Sequence, residues 1–275
     1  MLKLTTDGRN IRMIPKIIHY CWFGGGPIPE KDQRCIESWK RYCPDYEIKR
    51  WDESNYDISK NKYMAQAFQE ERWAFVSDYA RLDVVYQYGG IYLDTDVELL
   101  KPLDPLLEKD AFLGIEEGEK ESFLANLGLG FGSVPGCDLL KEMLGLYDTL
   151  SFIKDGKTDL TPSPQILTDY LRSRGYTGNN EHQCLDGVEL LPTEYLCPQN
   201  YVTGKLHITP HTYSIHWYHA SWKTEEEKKQ AKRYQMASKI LGRRYGEYWC
   251  VFLNTLQKGG VPGVMEKLVK RAKRQ

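Results

Sequence analysis

No stretch of this 275-residue sequence approaches the ~18 consecutive apolar residues that a membrane-spanning helix needs. Residues 1–13 also lack the apolar core of a secretory leader, so a cytoplasmic location is expected. The seven cysteines are odd in number and scattered, with no Cys-x-x-Cys pair. That excludes a disulfide framework and leaves reduced thiols as the expectation. The glycine run Gly24-Gly25-Gly26-Pro27 has neither the Lys-Ser/Thr of a P-loop nor the spacing of a dinucleotide fingerprint. Nor does any recognised nucleic-acid-binding module accompany the basic residues, so nucleic acid is not an expected partner.

Net charge is nearly absent too, at −1, but the balance is uneven. From Lys223 onward there are 14 Lys or Arg against 5 Asp or Glu, so a +9 tail follows a body of −10. Such a tail is expected to meet an anionic membrane surface or to pack as a solvated helix on the body; both readings stay open. With 41% apolar and 27% charged residues, the chain can bury one sizeable core and an accessory subdomain.

What is present is organised around Tyr88-Gly89-Gly90-Ile91-Tyr92-Leu93-Asp94-Thr95-Asp96. Two glycines end a helical run, three apolar residues predict a buried strand, and the strand runs out into two carboxylates. In an extended backbone Asp94 and Asp96 point the same way and Thr95 the other, with Cα atoms roughly 6.5 Å apart. Paired hard oxygens at that spacing suit a divalent cation; an acidic turn capping a strand has the same sequence. Upstream, Asp78 and Arg81 stand three apart on one helix face among aromatic and branched residues. They either hold each other or address a polar ligand.

The remaining order reads as α/β. Ile14 to Phe23 predicts a first strand with Trp22 at its carboxyl end. Pro29 to Tyr42 predicts a helix with Cys35, Ile36 and Trp39 on one stripe. Tyr46 to Trp51 predicts a second strand, residues 60 to 88 two helices, and Ile91 to Leu93 a third strand. The resulting βαβαβ pattern implies parallel strands joined by right-handed crossovers. Val97 to Leu100, Ala111 to Ile115 and residues 126 to 132 continue as strands, with helices at 137–150 and 166–174. Residues 175 to 213 read as loops with short strands, a wall for acceptor recognition. Beyond Thr224 the chain turns helical, with Arg243 and Arg244 followed by Tyr245, Tyr248, Trp249 and Phe252, and with a second basic cluster from Lys267 to Arg274.

Three ordered segments carry a family resemblance: residues 77–96, residues 14–25, and Ser214-Ile215-His216 with Ser221-Trp222. Together they resemble the DXD-motif sugar transferases of glycosyltransferase family 32, which includes outer-chain mannosyltransferases, capsule-assembly enzymes and, distantly, glucosylating toxins. The resemblance implies a GT-A type fold over residues 1–222: a Rossmann-like mixed sheet with helices on both faces, then a helical extension, 223–275. It implies that Asp94, Asp96 and His216, with His219 as rival, hold Mn2+ or Mg2+. It further implies that Asp78 and Arg81 orient the sugar and reach towards phosphate. Trp22, Tyr92 and Asn126 would contact the donor, and Ser221 and Trp222 the diphosphate. Asn126 as a strand-end cap remains equally open. The family's frequent Thr-Gly-Pro is here Thr161-Pro162-Ser163, and its paired histidines are spaced as Ile-His-Trp-Tyr-His.

The implied activity is retaining transfer of a hexose from a nucleotide sugar, UDP-hexose first and GDP-mannose second. The acceptor would be a glycan or lipid-linked glycan in capsule or other bacterial surface polysaccharide assembly, at the inner membrane face. No dedicated base for an inverting route stands out in the sequence. A metal-dependent nucleotidyltransferase and a non-catalytic glycan-binding module are the alternatives. A glycosidase fits poorly, because carboxylates two residues apart on one strand lie side by side rather than flanking a bond.

Overall fold

The computed structural model describes residues 2–4, 10–118, 122–201 and 203–219, with isolated positions between 229 and 255. The chain separates into two compact units, residues 1–199 with 206–222, and residues 200–205 with 223–275. The expected basic extension and Ser221 and Trp222 lie almost entirely outside the described residues. No described helix is long and apolar enough to cross a membrane.

In chain order the first unit holds a hairpin of β1 (Leu2–Leu4) and β2 (Asn10–Arg12), then β3 (Ile17–Cys21), α1 (Glu30–Tyr42) and β4 (Glu47–Trp51). Next come α2 (Lys62–Gln69), α3 (Trp73–Tyr88), β5 (Gly90–Tyr92) and β6 (Val97–Leu99). β7 (Ala111–Glu117), β8 (Phe123–Ser133) and α4 (Asp138–Thr149) follow, then a small hairpin of β9 (Ile153–Lys154) and β10 (Lys157–Thr158). The unit finishes with α5 (Ser163–Ser173), β11 (Gln183–Leu185), β12 (Val188–Leu191), α6 (Thr193–Leu196) and β13 (Ser214–His216).

A seven-stranded mixed sheet runs in the order β11-β12-β7-β8-β5-β3-β4. β3 pairs parallel with both β4 and β5, as the βαβαβ pattern predicts. β8 enters antiparallel between β5 and β7, which the sequence pattern did not indicate. Alternation along the strands divides the core between the two faces. Cys21, Tyr92, Leu113 and Phe131 join one apolar cluster with α2 to α5; Ile18, Ile91, Phe112 and Leu129 join another with Trp39 of α1. The mixed α/β sheet with helices on both faces is therefore as expected.

Two local features aim the site. α3 ends at Gly89 (φ 65°), and Gly90 (φ 102°) starts β5; a Cβ at Gly90 would stand 2.7 Å from the Ile17 carbonyl oxygen. Only glycine fits this reversal, because both the left-handed backbone and the space forbid a side chain. Then, between Leu113 and Gly114 of β7, the register to β8 jumps from Phe131 to Asn126. Residues 127–130 bulge out of the ladder, with Gly130 at φ 129°. This bulge carries Gly128 against the carboxyl end of β5, where its carbonyl accepts from Asp94 N at 3.4 Å.

Candidate metal and donor site

The strand that ends at Tyr92 does not continue extended through the two carboxylates. Val97 N donates to Asp94 O (3.0 Å), closing a turn over Thr95 and Asp96 before β6 begins. This corrects the extended-strand expectation: the i to i+3 bond closes a turn where an extended backbone was expected. The turn still sends the side chains apart as expected: Thr95 goes inward to Asp32, and Asp94 and Asp96 come together on the other side.

A third side chain joins them from far along the chain. β13 pairs antiparallel with β6, setting His216 opposite Val97, and Trp217 N donates to Asp96 O at 3.0 Å. Ligand atoms of Asp94, Asp96 and His216 all lie within 4.8 Å of one another. His216 Nε2 is 3.2 Å from Asp96 Oδ1, whereas its Nδ1 is buried without a hydrogen-bond partner among the described residues. Two carboxylates and one imidazole form an oxygen-rich set with one nitrogen, which suits Mn2+ and also Mg2+. The unpartnered buried Nδ1 costs about 1–3 kcal/mol unless something satisfies it. The residues fit a divalent cation.

The electrostatics are those of an acidic nest short of positive charge. Burial pushes the Asp94 carboxyl up, against the pull of Arg81. Burial also opposes ionisation of Asp96, but His216 and the backbone N–H of His219 (2.8 Å) outweigh it and hold that carboxyl at about 2. For His216, burial favours the neutral ring, and Asp96, Asp94 and Glu116 together overcome it and raise its pKa. A cation placed here would be strongly attracted.

Asp78 and Arg81 on α3 meet as their spacing predicts, at 3.1 Å. Arg81 reaches on to Asp94 Oδ1 (3.5 Å), bonds the Ser77 carbonyl through Nε (3.1 Å) and lies over the Tyr92 ring at 5.0 Å. Its guanidinium is thus directed at the two carboxylates rather than outward. Tyr92 donates its phenol to Asp94 Oδ1 at 3.0 Å, and Ser163 Oγ donates to Asp78 Oδ1 at 2.7 Å. A Cβ on Gly128 would stand 2.4 Å from Asp94 Oδ2 and 3.2 Å from Arg81, so a glycine is the floor beneath this pair. Asn126 turns its Oδ1 to Gly128 N (2.7 Å) and its amide towards Glu116, so it braces the bulge. Trp22 follows β3 directly, half-buried, its indole N–H donating to Gly26 O at 2.7 Å.

Two site residues escaped the sequence reading. Glu116, at the carboxyl end of β7, accepts from the Tyr218 phenol at 3.0 Å, and burial raises its pKa. Its place at a strand's carboxyl end, where open sheets bind ligands, was the available signal. Asp32 is wholly buried, accepts from His219 Nδ1 (2.5 Å) and meets Thr95 Oγ1 at 3.5 Å. It lies three and four residues before Cys35 and Ile36, on the same buried stripe of α1, so periodicity marked it as an inward carboxylate. His219 stands outside the triad that could share one ion, with Asp32 as its partner.

Residues 29–113 match the family model described as the glycosyltransferase sugar-binding region containing DXD motif. Inositol phosphoceramide mannosyltransferase 3 of Schizosaccharomyces pombe is 39% identical over 108 residues, 36% of this chain and 29% of its own length. Mannosyl phosphorylinositol ceramide synthase SUR1 of Saccharomyces cerevisiae is 33% identical over 153 residues, 52% of this chain and 37% of its own. The chain spans roughly a third of the length of these curated relatives. Among solved structures, PaToxG Glycosyltransferase aligns with a TM-score of 0.44 at 20% identity, over 58% of this chain and 70% of that one.

Proposed function

We propose, from the match of residues 29–113 to the model of the DXD-motif sugar-binding region of glycosyltransferases, that this chain transfers a hexose from a nucleotide-diphosphate sugar to a hydroxyl acceptor. The observation that carries the reading is the convergence of Asp94, Asp96 and His216 beside the buried Asp78–Arg81 pair.

Leaving-group departure is the electrical problem of such a reaction: negative charge grows on the diphosphate as the glycosidic bond lengthens. A divalent cation held by Asp94, Asp96 and His216 supplies Lewis-acid neutralisation of that charge when bound. The protein's own residues do the rest. Arg81 fixes Asp94 from one side and Tyr92 from another, so the carboxylate is set before the donor arrives. Asp78, held by Ser163 and Arg81, keeps acceptor lone pairs for sugar hydroxyls and orients the ring. The Trp22 indole is anchored by its N–H and offers its ring to the nucleotide base.

Retention of configuration follows the family resemblance. The resemblance favours UDP-hexose as donor, and GDP-mannose is the second candidate, supported by the mannosyl transfer for which the relatives are named. The acceptor proposed is a glycan or lipid-linked group, met at the cytoplasmic membrane face, and the +9 charge of residues 223–275 supports that placement.

The test is release of nucleoside diphosphate from a panel of nucleotide sugars, with and without Mn2+. Cleavage of one donor that needs the ion, and that falls at least a hundredfold in Asp96→Asn, is expected. Undiminished cleavage by that variant in chelator refutes the assignment. Release of pyrophosphate from a nucleoside triphosphate would instead identify a nucleotidyltransferase.

A further inference from the structure

We propose that Tyr218 is a positioning residue for the metal site: its ring holds the His216 imidazole at the angle that a cation shared with Asp94 and Asp96 requires. The inference rests on the metal-site reading above and goes one step beyond it, to what orients the single ligand that comes from outside the turn after β5.

A metal-bound imidazole is usually oriented by a hydrogen bond from its second ring nitrogen to a carboxylate, a carbonyl or water. His216 has no such support among the described residues. Its Nε2 faces Asp96 (3.2 Å), itself a proposed ligand, and its buried Nδ1 meets no partner. Pairing of β13 with β6 fixes the His216 backbone but leaves the ring its choice of rotamer. The ring packs instead against Tyr218, two residues on. The two planes meet edge to face at 71°, with centroids 4.2 Å apart. That is inside the roughly 4.5–7 Å common for aromatic pairs, so the imidazole cannot turn without meeting the phenol ring.

The contact is kept against backbone strain. Tyr218 has φ 53°, in the left-handed region, at a cost of about 1–3 kcal/mol for a residue with a bulky side chain. Such strain persists only where the surroundings fix it, and here the chain is pinned on both sides. Trp217 N donates to Asp96 O (3.0 Å), and its indole N–H donates to Glu98 Oε2 (2.8 Å). His219 N donates to Asp96 Oδ2 (2.8 Å). The far end of the side chain is anchored as well. The phenol gives its proton to Glu116 Oε2 on β7 (3.0 Å), so the Cys197 thiol, just after α6, is the donor in the 2.9 Å contact between Sγ and the phenol oxygen. A glycine would meet the backbone demand without strain. With a tyrosine, the fixed backbone and the anchored hydroxyl leave the ring one place to stand, against His216.

A residue that acts through His216 must lose its effect when His216 is gone. The experiment titrates Mn2+ alone into four forms of the full chain: unaltered, Tyr218→Phe, His216→Ala and the double variant. Free Mn2+ is read by electron paramagnetic resonance, and folding by a melting curve. Tyr218→Phe keeps the ring and releases its anchor. It should weaken Mn2+ binding about tenfold when His216 is present, and bring no further loss in the His216→Ala background. Unchanged affinity with His216 present, or equal losses in the two backgrounds, overturns the proposal. Should Tyr218→Phe not fold, Cys197→Ala takes its place in both backgrounds. It strips the thiol from the phenol, and a loss of about twofold to fivefold is expected only where His216 remains; equal or absent losses again overturn the proposal. Equal Mn2+ affinity of the unaltered chain and His216→Ala removes the metal-site reading and this inference with it. Weaker binding by His216→Ala, with Tyr218→Phe costing the same in both backgrounds, removes this inference alone.

Discussion

Asp32 and His19 are both wholly buried and polar, and each shows how a single group fixes its surroundings. Asp32 receives the Nδ1 proton of His219, whose backbone N–H in turn bonds Asp96, so one helix carboxylate indirectly orients the proposed metal loop. Carboxylates behind a metal site commonly set ligand orientation at a value of about 10–100-fold in affinity. Asp32→Asn should therefore lower Mn2+ affinity by about tenfold or more while the protein still folds; calorimetric titration beside a melting curve measures both. His19 has a different task. The Trp51 indole N–H donates to its Nδ1 (3.1 Å), so its proton sits on Nε2 and goes to the Gly89 carbonyl (2.8 Å). Burial first, with Lys49 adding, lowers its pKa to about 4. The unfolded chain takes up a proton near pH 6.5 that the folded chain refuses until about 4, so stability must rise with pH across that window. Roughly 3 kcal/mol is present above pH 6.5 and lost on acidification towards 4. Urea midpoints across that range should show this slope, and His19→Gln should flatten it; equal slopes would refute the assignment.

At the scale of elements, the joint between α3 and β5 governs where the carboxylates emerge. Gly89 and Gly90 both have positive φ, and added Cβ atoms would meet Pro135 Cδ at 2.6 Å and Ile17 O at 2.7 Å. Gly136 also has positive φ (77°), but nothing lies within 4 Å of its added Cβ. Gly136→Ala should thus cost about 1 kcal/mol, from backbone strain alone, and Gly90→Ala on the order of 3 kcal/mol or more, strain plus clash. Equal losses in chemical denaturation would show that the close packing at the joint is not what selects glycine. Such elements were partly legible. Gly89-Gly90 announced the end of α3, and the apolar stripe of Cys35, Ile36 and Trp39 announced α1. The bulge at 127–130 was not: Leu127-Gly128-Leu129-Gly130 alternates like a strand, and only pairing with β7 on one side and β5 on the other forces it out. Asn126, offered by the resemblance as a donor contact and by its position equally as a strand-end cap, is engaged in the fold with Gly128 and Glu116.

For the whole molecule, the parallel β4-β3-β5 half and the Asp78, Arg81, Asp94 and Asp96 constellation could be read because each lies within one βαβαβ stretch. Contacts that cross the chain could not. His216 reaches Asp96 only because β13 pairs with β6, and Asp32 reaches His219 across 187 positions. Local periodicity carries no term for such pairings; the family resemblance supplied the first and nothing supplied the second. The proposed metal site is accordingly assembled from separate segments, its three ligands from the turn after β5 and from β13, with Asp32 of α1 behind them. The most direct measurement is anomalous scattering from a crystal grown with Mn2+ and the cognate nucleotide sugar. The account predicts one strong manganese peak bounded by Asp94, Asp96 and His216, bridging to the diphosphate and absent in Asp96→Asn. Diphosphate bound with its manganese elsewhere, and those three side chains contacting neither, would contradict it.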